Sequence, residues 1–263
     1  MGRELRSHRI STGRTAGEVA RELGLTVSET VALEGGLRIP SDLDSLFGGY
    51  GITDAAVVAA LSAAAENAPG DRWAEFAGIT NSETLAFFSY EASAAVIRWY
   101  EPLFVPGLLQ IPDYTRALLK GVYEFSDDAI ERCVESRRQR RAIIDSEHPS
   151  EMFFLVDEAV LRRPVGGADV HRRQLQSLRD SAARPGVSIR AVPFRAEPGP
   201  QLLAPFVLLE LMAAGEPDLL YLEHRMTATL TTDVRAVCDH LDRFDALAAG
   251  SEADLLAQAA GEA

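Results

Sequence analysis

The chain has 263 residues, 47% hydrophobic and 25% charged, with a formal net charge of −13, an ordinary globular composition with room for a small domain and a medium one. No apolar run approaches the roughly 20 residues of a membrane span, and the opening MGRELRSHR lacks the apolar stretch of a secretory signal, so a cytoplasmic protein is expected. Cys133 and Cys238 show neither metal-ligand nor CxxC spacing and are expected to be reduced core thiols, with no metal site, disulfide framework or cofactor to follow.

In chain order, TAGEVARELGL predicts a helix with Ala16, Val19, Ala20 and Leu23 on one face. Thr15 is placed to cap it, and Glu18 completes a capping box. Gly24 stands where a turn calls for a left-handed residue. Thr26 caps the next helix, whose inward positions are Thr30 and Leu33. Glu34, a glycine exit and Pro40 then lead to a fourth helix from Asp42 to Tyr50 and a fifth opening on Thr53 or Asp54.

Residues 3–66 resemble the five-helix module of Xre-type (lambda-repressor-like) regulators, on Leu5, Arg6, Thr15, Ala20, Gly24, Glu34 and Gly36. The resemblance implies a helix-turn-helix that binds DNA as a homodimer, reading two half-sites one helical turn apart. Arg6, Arg14, Thr26, Ser28, Glu29 and Arg38 are the candidate DNA contacts. The outward residues of the second motif helix are Val27, Ser28, Glu29, Val31 and Ala32. None of them offers the bidentate Arg–guanine or Gln–adenine contact of direct readout. Residues 1–50 hold six arginines against seven carboxylates, a weak charge for a phosphate-binding surface.

ENAPGDRW is a Pro/Gly break that separates residues 1–68 from a larger domain at 73–263. SETLAFFSYEASAAVIRWYEP predicts one long helix, with Glu91 inside an apolar stripe of Leu85, Phe88, Ala92, Ala95 and Trp99. FVPGLLQIPDYTRALL predicts a Pro-Gly turn, the buried pair Leu108–Leu109, and a helix starting at Pro112. An arginine-rich helix spans SDDAIERCVESRRQRRAII. A buried strand over MFFLVDEAVL running into EAVLRRP, a helix over VGGADVHRRQLQSLRDSAA, strands over VSIRAVPF, PFVLLEL and DLLYLEH, and two closing helices complete the chain. The expected class is α+β, the five-helix module followed by helices around a small mixed sheet.

The string VPGLLQ-x-P-x-Y, with Tyr100-Glu101, DEAVLRRPVGG, Gln174-Leu175 and LLYLE, resembles the C-terminal domain of unknown function in actinobacterial Scr1-type Xre regulators. Ile111 and Arg141 depart from that pattern. The resemblance implies transcriptional control, with the larger domain sensing a small molecule or a small partner protein.

No GxSxG, P-loop, GxGxxG or HExxH motif is present, and the five histidines are scattered. A carboxylate facing a core must be paired, hydrogen-bonded or protonated. Glu91 is therefore either one half of a buried pair with Arg137, Arg140 or Arg162, or part of a pocket with Trp99, Tyr100, Arg137 and Glu158. Gln110 and Tyr114, in the family string, complete the ligand candidates. Three readings stay open. The first is a ligand- or partner-sensing regulator. The second is a former regulator whose pocket now binds or converts a small molecule, which would make it an enzyme. The third is an interaction protein using the apolar Val27/Val31 face.

Overall fold

The computed structural model describes residues 2–34, 42–66, 73–92, 94–122, 125–145, 150–196, 204–211, 218–223 and 227–262. The described residues form an α+β structure of two compact units, one built from residues 1–93 and one from 94–211 with 217–263. No helix among them is long and apolar enough to cross a membrane.

The N-terminal unit holds α1 (Gly2–Ser11), α2 (Ala16–Leu23), α3 (Val27–Glu34), α4 (Leu43–Tyr50), α5 (Ala55–Glu66) and α6 (Ser82–Glu91). Leu5, Val19, Leu33, Leu46, Phe47, Tyr50, Ile52 and Leu61 close one core from five different helices and a turn. Gly24 takes φ 66° between α2 and α3 and returns its N–H to Ala20 and Arg21, a conformation that costs glycine nothing. Thr30 and Leu33 face inward as their spacing predicts. Trp73 packs edge-on against Phe88 of α6 with ring centres 5.4 Å apart, and α6 packs against α3.

The second unit is built on a six-stranded mixed sheet of order β3-β2-β1-β4-β5-β6. Its strands are β1 (Ala94–Glu101), β2 (Glu151–Asp157), β3 (Val187–Val192), β4 (Phe206–Leu211), β5 (Leu219–Glu223) and β6 (Ala228–Thr231). β1, β2 and β3 run parallel. The connections between them carry α7 (Pro112–Val122), α8 (Asp127–Arg141), α9 (Glu158–Arg162) and α10 (Ala168–Ala182), as parallel neighbours require a crossover. β4, β5 and β6 add on antiparallel. Val237, Phe244 and Leu247 of α11 (Val234–Gly250) pack on Tyr100, Leu155, Phe206, Leu208 and Leu220, which share one face. α12 (Asp254–Glu262) closes the chain, and Glu252 just before it exchanges two backbone hydrogen bonds with Ala191, covering part of the β3 edge.

The long helix expected over residues 82–101 is two elements. α6 stops at Glu91, and Ala94–Glu101 is the central strand β1, paired on both sides. The stripe of Leu85, Phe88, Ala92, Ala95 and Trp99 does not exist, because Val96, Ile97, Trp99 and Tyr100 are the β-branched and aromatic types that fit a pleated, two-sided surface. The expected core thiols are also corrected. Cys238 is exposed on α11, one position past the inward Val237, and Cys133 is only partly buried on α8.

Candidate functional site

In the N-terminal unit the turn Gly24 joins two helices that carry the same cap. Thr15 Oγ1 accepts the Glu18 N–H at 3.2 Å, and Glu18 Oε2 accepts the Thr15 N–H at 2.7 Å. Thr26 and Glu29 repeat this reciprocal pair on α3, at 3.1 and 2.9 Å. Each box satisfies helix-end donors that would otherwise be orphaned. Beneath them Arg9 makes a bidentate pair with Glu34 at 2.6 and 2.7 Å, and the Tyr50 hydroxyl donates to the same carboxylate at 2.9 Å. The three groups tie α1, α3 and α4 together. Burial, with the Glu34 carboxylate next to it, holds the Tyr50 hydroxyl well above its ordinary range.

These bonds bear directly on the candidate DNA contacts. Arg6 is 5% exposed and its guanidinium stacks on the Tyr90 ring at 4.6 Å. Arg14 donates to the Gly49 carbonyl at 2.7 Å and pairs with Glu22 at 2.6 Å. Thr26 and Glu29 serve each other, so the Glu29 carboxylate is already accepting two hydrogen bonds. Val27 stands 52% exposed at the start of α3. The Ser28 side chain and the whole of Arg38 lie outside the described residues.

In the second unit the family string fastens its own loop. The Val105 N–H donates to the Tyr114 hydroxyl at 3.1 Å, and the Val105 carbonyl accepts from Gln110 Nε2 at 2.7 Å. Gln110 Oε1 in turn accepts from Thr115 at 2.8 Å. From α10, Gln174 accepts the Ile111 N–H and donates to the Leu109 carbonyl, both at 2.8 Å. Leu108 and Leu109 are thereby delivered, fully buried, on a short 3₁₀ turn at Gly107–Leu109. Gln110 and Tyr114, read as ligand candidates, are spent on satisfying backbone groups that a buried loop cannot leave bare.

The alternation of β1 puts Ile97, Trp99 and Glu101 on the face opposite Tyr100. Arg140 of α8 lies 5.9 Å over the Trp99 ring. Arg137 Nε and Arg140 Nη1 both stand 3.6 Å from where a Cβ on Gly107 would be. Trp99, Tyr114, Arg137 and Arg140 are thus gathered near the C-terminal end of β1. Glu101, which closes that strand, is the functional candidate that sequence reasoning passed over. It is 9% exposed and accepts the Leu103 N–H at 3.2 Å. The Phe104 N–H and the Trp99 indole also donate to it. Burial is the larger influence on it, and Glu223 at the end of β5 adds like charge, so its carboxyl is pushed up to about 8. The same burial raises Tyr114, with Glu101 adding to the rise and Arg163 and Arg137 opposing it. A period-two reading of AVIRWYE would have put Trp99 and Glu101 side by side.

The remaining candidates have surroundings of their own. Tyr100 faces α11, and its hydroxyl is raised by burial, then by Asp157 and Glu101. Glu158 and Arg162 pair with each other at 3.3 Å within α9, and Glu158 also accepts the Phe194 N–H at 2.9 Å. Glu91 is fully buried at the end of α6, in the N-terminal unit. Among the described residues no cluster of His, Cys, Asp or Glu is spaced to hold a metal ion. His171 bonds the Leu161 carbonyl and His240 the Ala236 carbonyl, while His148 and His224 lie outside the described residues.

A family model described as "Domain of unknown function (DUF5753)" matches residues 84–253, from within α6 to just before α12. None of the curated proteins and none of the solved structures matches the chain.

Proposed function

The chain belongs to the DUF5753 family, and on that premise we propose that it is a helix-turn-helix regulator whose second unit senses a small ligand or partner. The observation that carries this reading is the α2–Gly24–α3 turn. It has a capping box on each helix and the Arg9–Glu34–Tyr50 lock beneath. A frame kept in such detail fits a module that still presents α3 to a groove. The sensing edge is the C-terminal end of β1. Ligands of sheets with parallel strands gather outside such ends, and there Glu101 combines burial with a shifted proton affinity, the usual mark of a site that acts. A homodimer follows from the half-site geometry of this kind of module.

A second reading has an observation of its own. Arg6 and Arg14 are committed inside the unit, Glu29 to its cap, and Val27 is exposed where a base-reading side chain would serve. This favours a former regulator that retains the scaffold while the second unit binds or converts a small molecule.

A mobility-shift titration of DNA from upstream of the gene separates the two. The regulator reading expects weak binding that falls steeply between about 50 and 200 mM salt, because arginine–phosphate contacts release counterions. Absence of a shift at the lower salt favours the former regulator. Nanomolar binding that ignores salt would overturn the weak-readout argument itself.

A further inference from the structure

We propose that Glu101 is a proton-operated latch on the loop that leaves β1: losing its proton draws the Leu103 and Phe104 amides and the Trp99 indole onto the carboxylate, and regaining it lets them go.

The geometry carries this. Glu101 is 9% exposed at the end of the central strand, and the chain turns at once so that the Leu103 N–H reaches back to Oε1 at 3.2 Å. Three N–H donors converge on one carboxyl group. Such donors bond a charged carboxylate roughly twice as strongly as a neutral acceptor. No Lys, Arg or His pairs with Glu101 among the described residues, and the charged group that acts on it most directly is Glu223, also a carboxylate. A buried carboxyl with no cation is driven toward its neutral form. The donors pull one way; burial and Glu223 pull the other. Two states of similar free energy are what a switch requires.

Among the described residues, the other charged and titratable groups around this end have these positions. Tyr114 of α7 is engaged by the Val105 N–H. Arg163, just past α9, donates to the Leu103 carbonyl at 2.9 Å, so it holds the other side of the same residue. Arg137 and Arg140 of α8 lie by Gly107, Arg140 over the Trp99 ring. Asp157 and Tyr100 are on the opposite face. The loop that the latch holds runs into the string 105–110, and its tip, Leu103, is 48% exposed. Because that carboxyl is pushed up to about 8, the latch closes as the pH rises through that region.

The test uses the indole N–H resonances of the full chain, whose two tryptophans give two peaks, and loss of one in Trp99→Phe assigns it. The Trp99 peak is expected to move with a midpoint near pH 8 while the Trp73 peak stays still. Glu101→Gln should abolish that movement, and Glu223→Gln, which leaves Glu101 in place, should shift the midpoint lower. A Trp99 peak that stays flat from pH 6 to 9.5, or that titrates equally in Glu101→Gln, overturns the latch. If Glu101→Gln does not fold, the Glu223→Gln shift decides, and an unmoved midpoint counts against the proposal. The latch deepens the sensing reading, yet no DNA enters this experiment. A flat titration refutes the latch alone, and a failed mobility shift refutes the regulator alone.

Discussion

Gln174 should be the costliest polar side chain to remove from the second unit. It is fully buried on α10, and its amide satisfies two backbone groups flanking Gln110, the Leu109 carbonyl and the Ile111 N–H, both at 2.8 Å. Gln174→Leu keeps most of the volume and leaves one buried donor and one buried acceptor without partners. Each orphaned group costs about 1–3 kcal/mol, so the pair amounts to about 2–6 kcal/mol. For a domain of this size that lowers the melting temperature by roughly 4–24 °C. Calorimetry together with a urea titration measures both quantities. Gln176→Leu, two residues along on the exposed side and bonded to the exposed Asp180, serves as the control and should stay within about 0.5 kcal/mol of wild type. A Gln174→Leu midpoint equal to that of the control would mean that the 105–111 loop is held by its apolar residues alone.

Leu109→Ala removes a fully buried side chain and should cost about 2–5 kcal/mol in the same urea titration, as large-to-small core changes do. Glu34→Gln breaks the bidentate pair with Arg9 and strands a buried guanidinium, so the N-terminal unit should lose about 3–5 kcal/mol by thermal melt; an unchanged melt would show the pair to be dispensable. Glu101 governs a pH slope whose sign follows from its raised proton affinity. The native chain keeps a proton that the unfolded chain releases near pH 4.5, so this group's contribution to stability falls as the pH climbs from there to about 8 and is level beyond. Glu101→Gln should remove that slope, and denaturation midpoints at pH 5, 7 and 9 would check it.

Short-range chemistry settled much of this protein before any tertiary contact is considered. The Thr15/Glu18 box, the left-handed Gly24 and the Pro112 helix start all act within four residues of themselves, and a reader of the sequence finds them where the structure has them. The α+β class and the burial of Leu108 and Leu109 were equally legible, since periodicity and turn residues report them. Pairing and polar satisfaction were not. Residues 94–101 carry enough alanine to pass for helix until β2 and β4 claim both edges of the chain as β1, and with the wrong period Glu101 was never set beside Trp99. Gln110 and Tyr114 are polar residues in the string VPGLLQIPDY, which in sequence looks like a binding motif, and Gln174 stands among the arginines of α10. Only the fold brings the Val105, Leu109 and Ile111 backbone groups within their reach. Arg6 and Arg14 met the same fate: an arginine reads as a surface charge until a distant ring or carbonyl takes it up. The reason is common to all of them. A buried polar group is satisfied by whatever the chain folds next to it, and that neighbour stands anywhere from five residues away, as for Gln110 and Val105, to sixty-five or more, as for Gln174 and Leu109 or Arg6 and Tyr90.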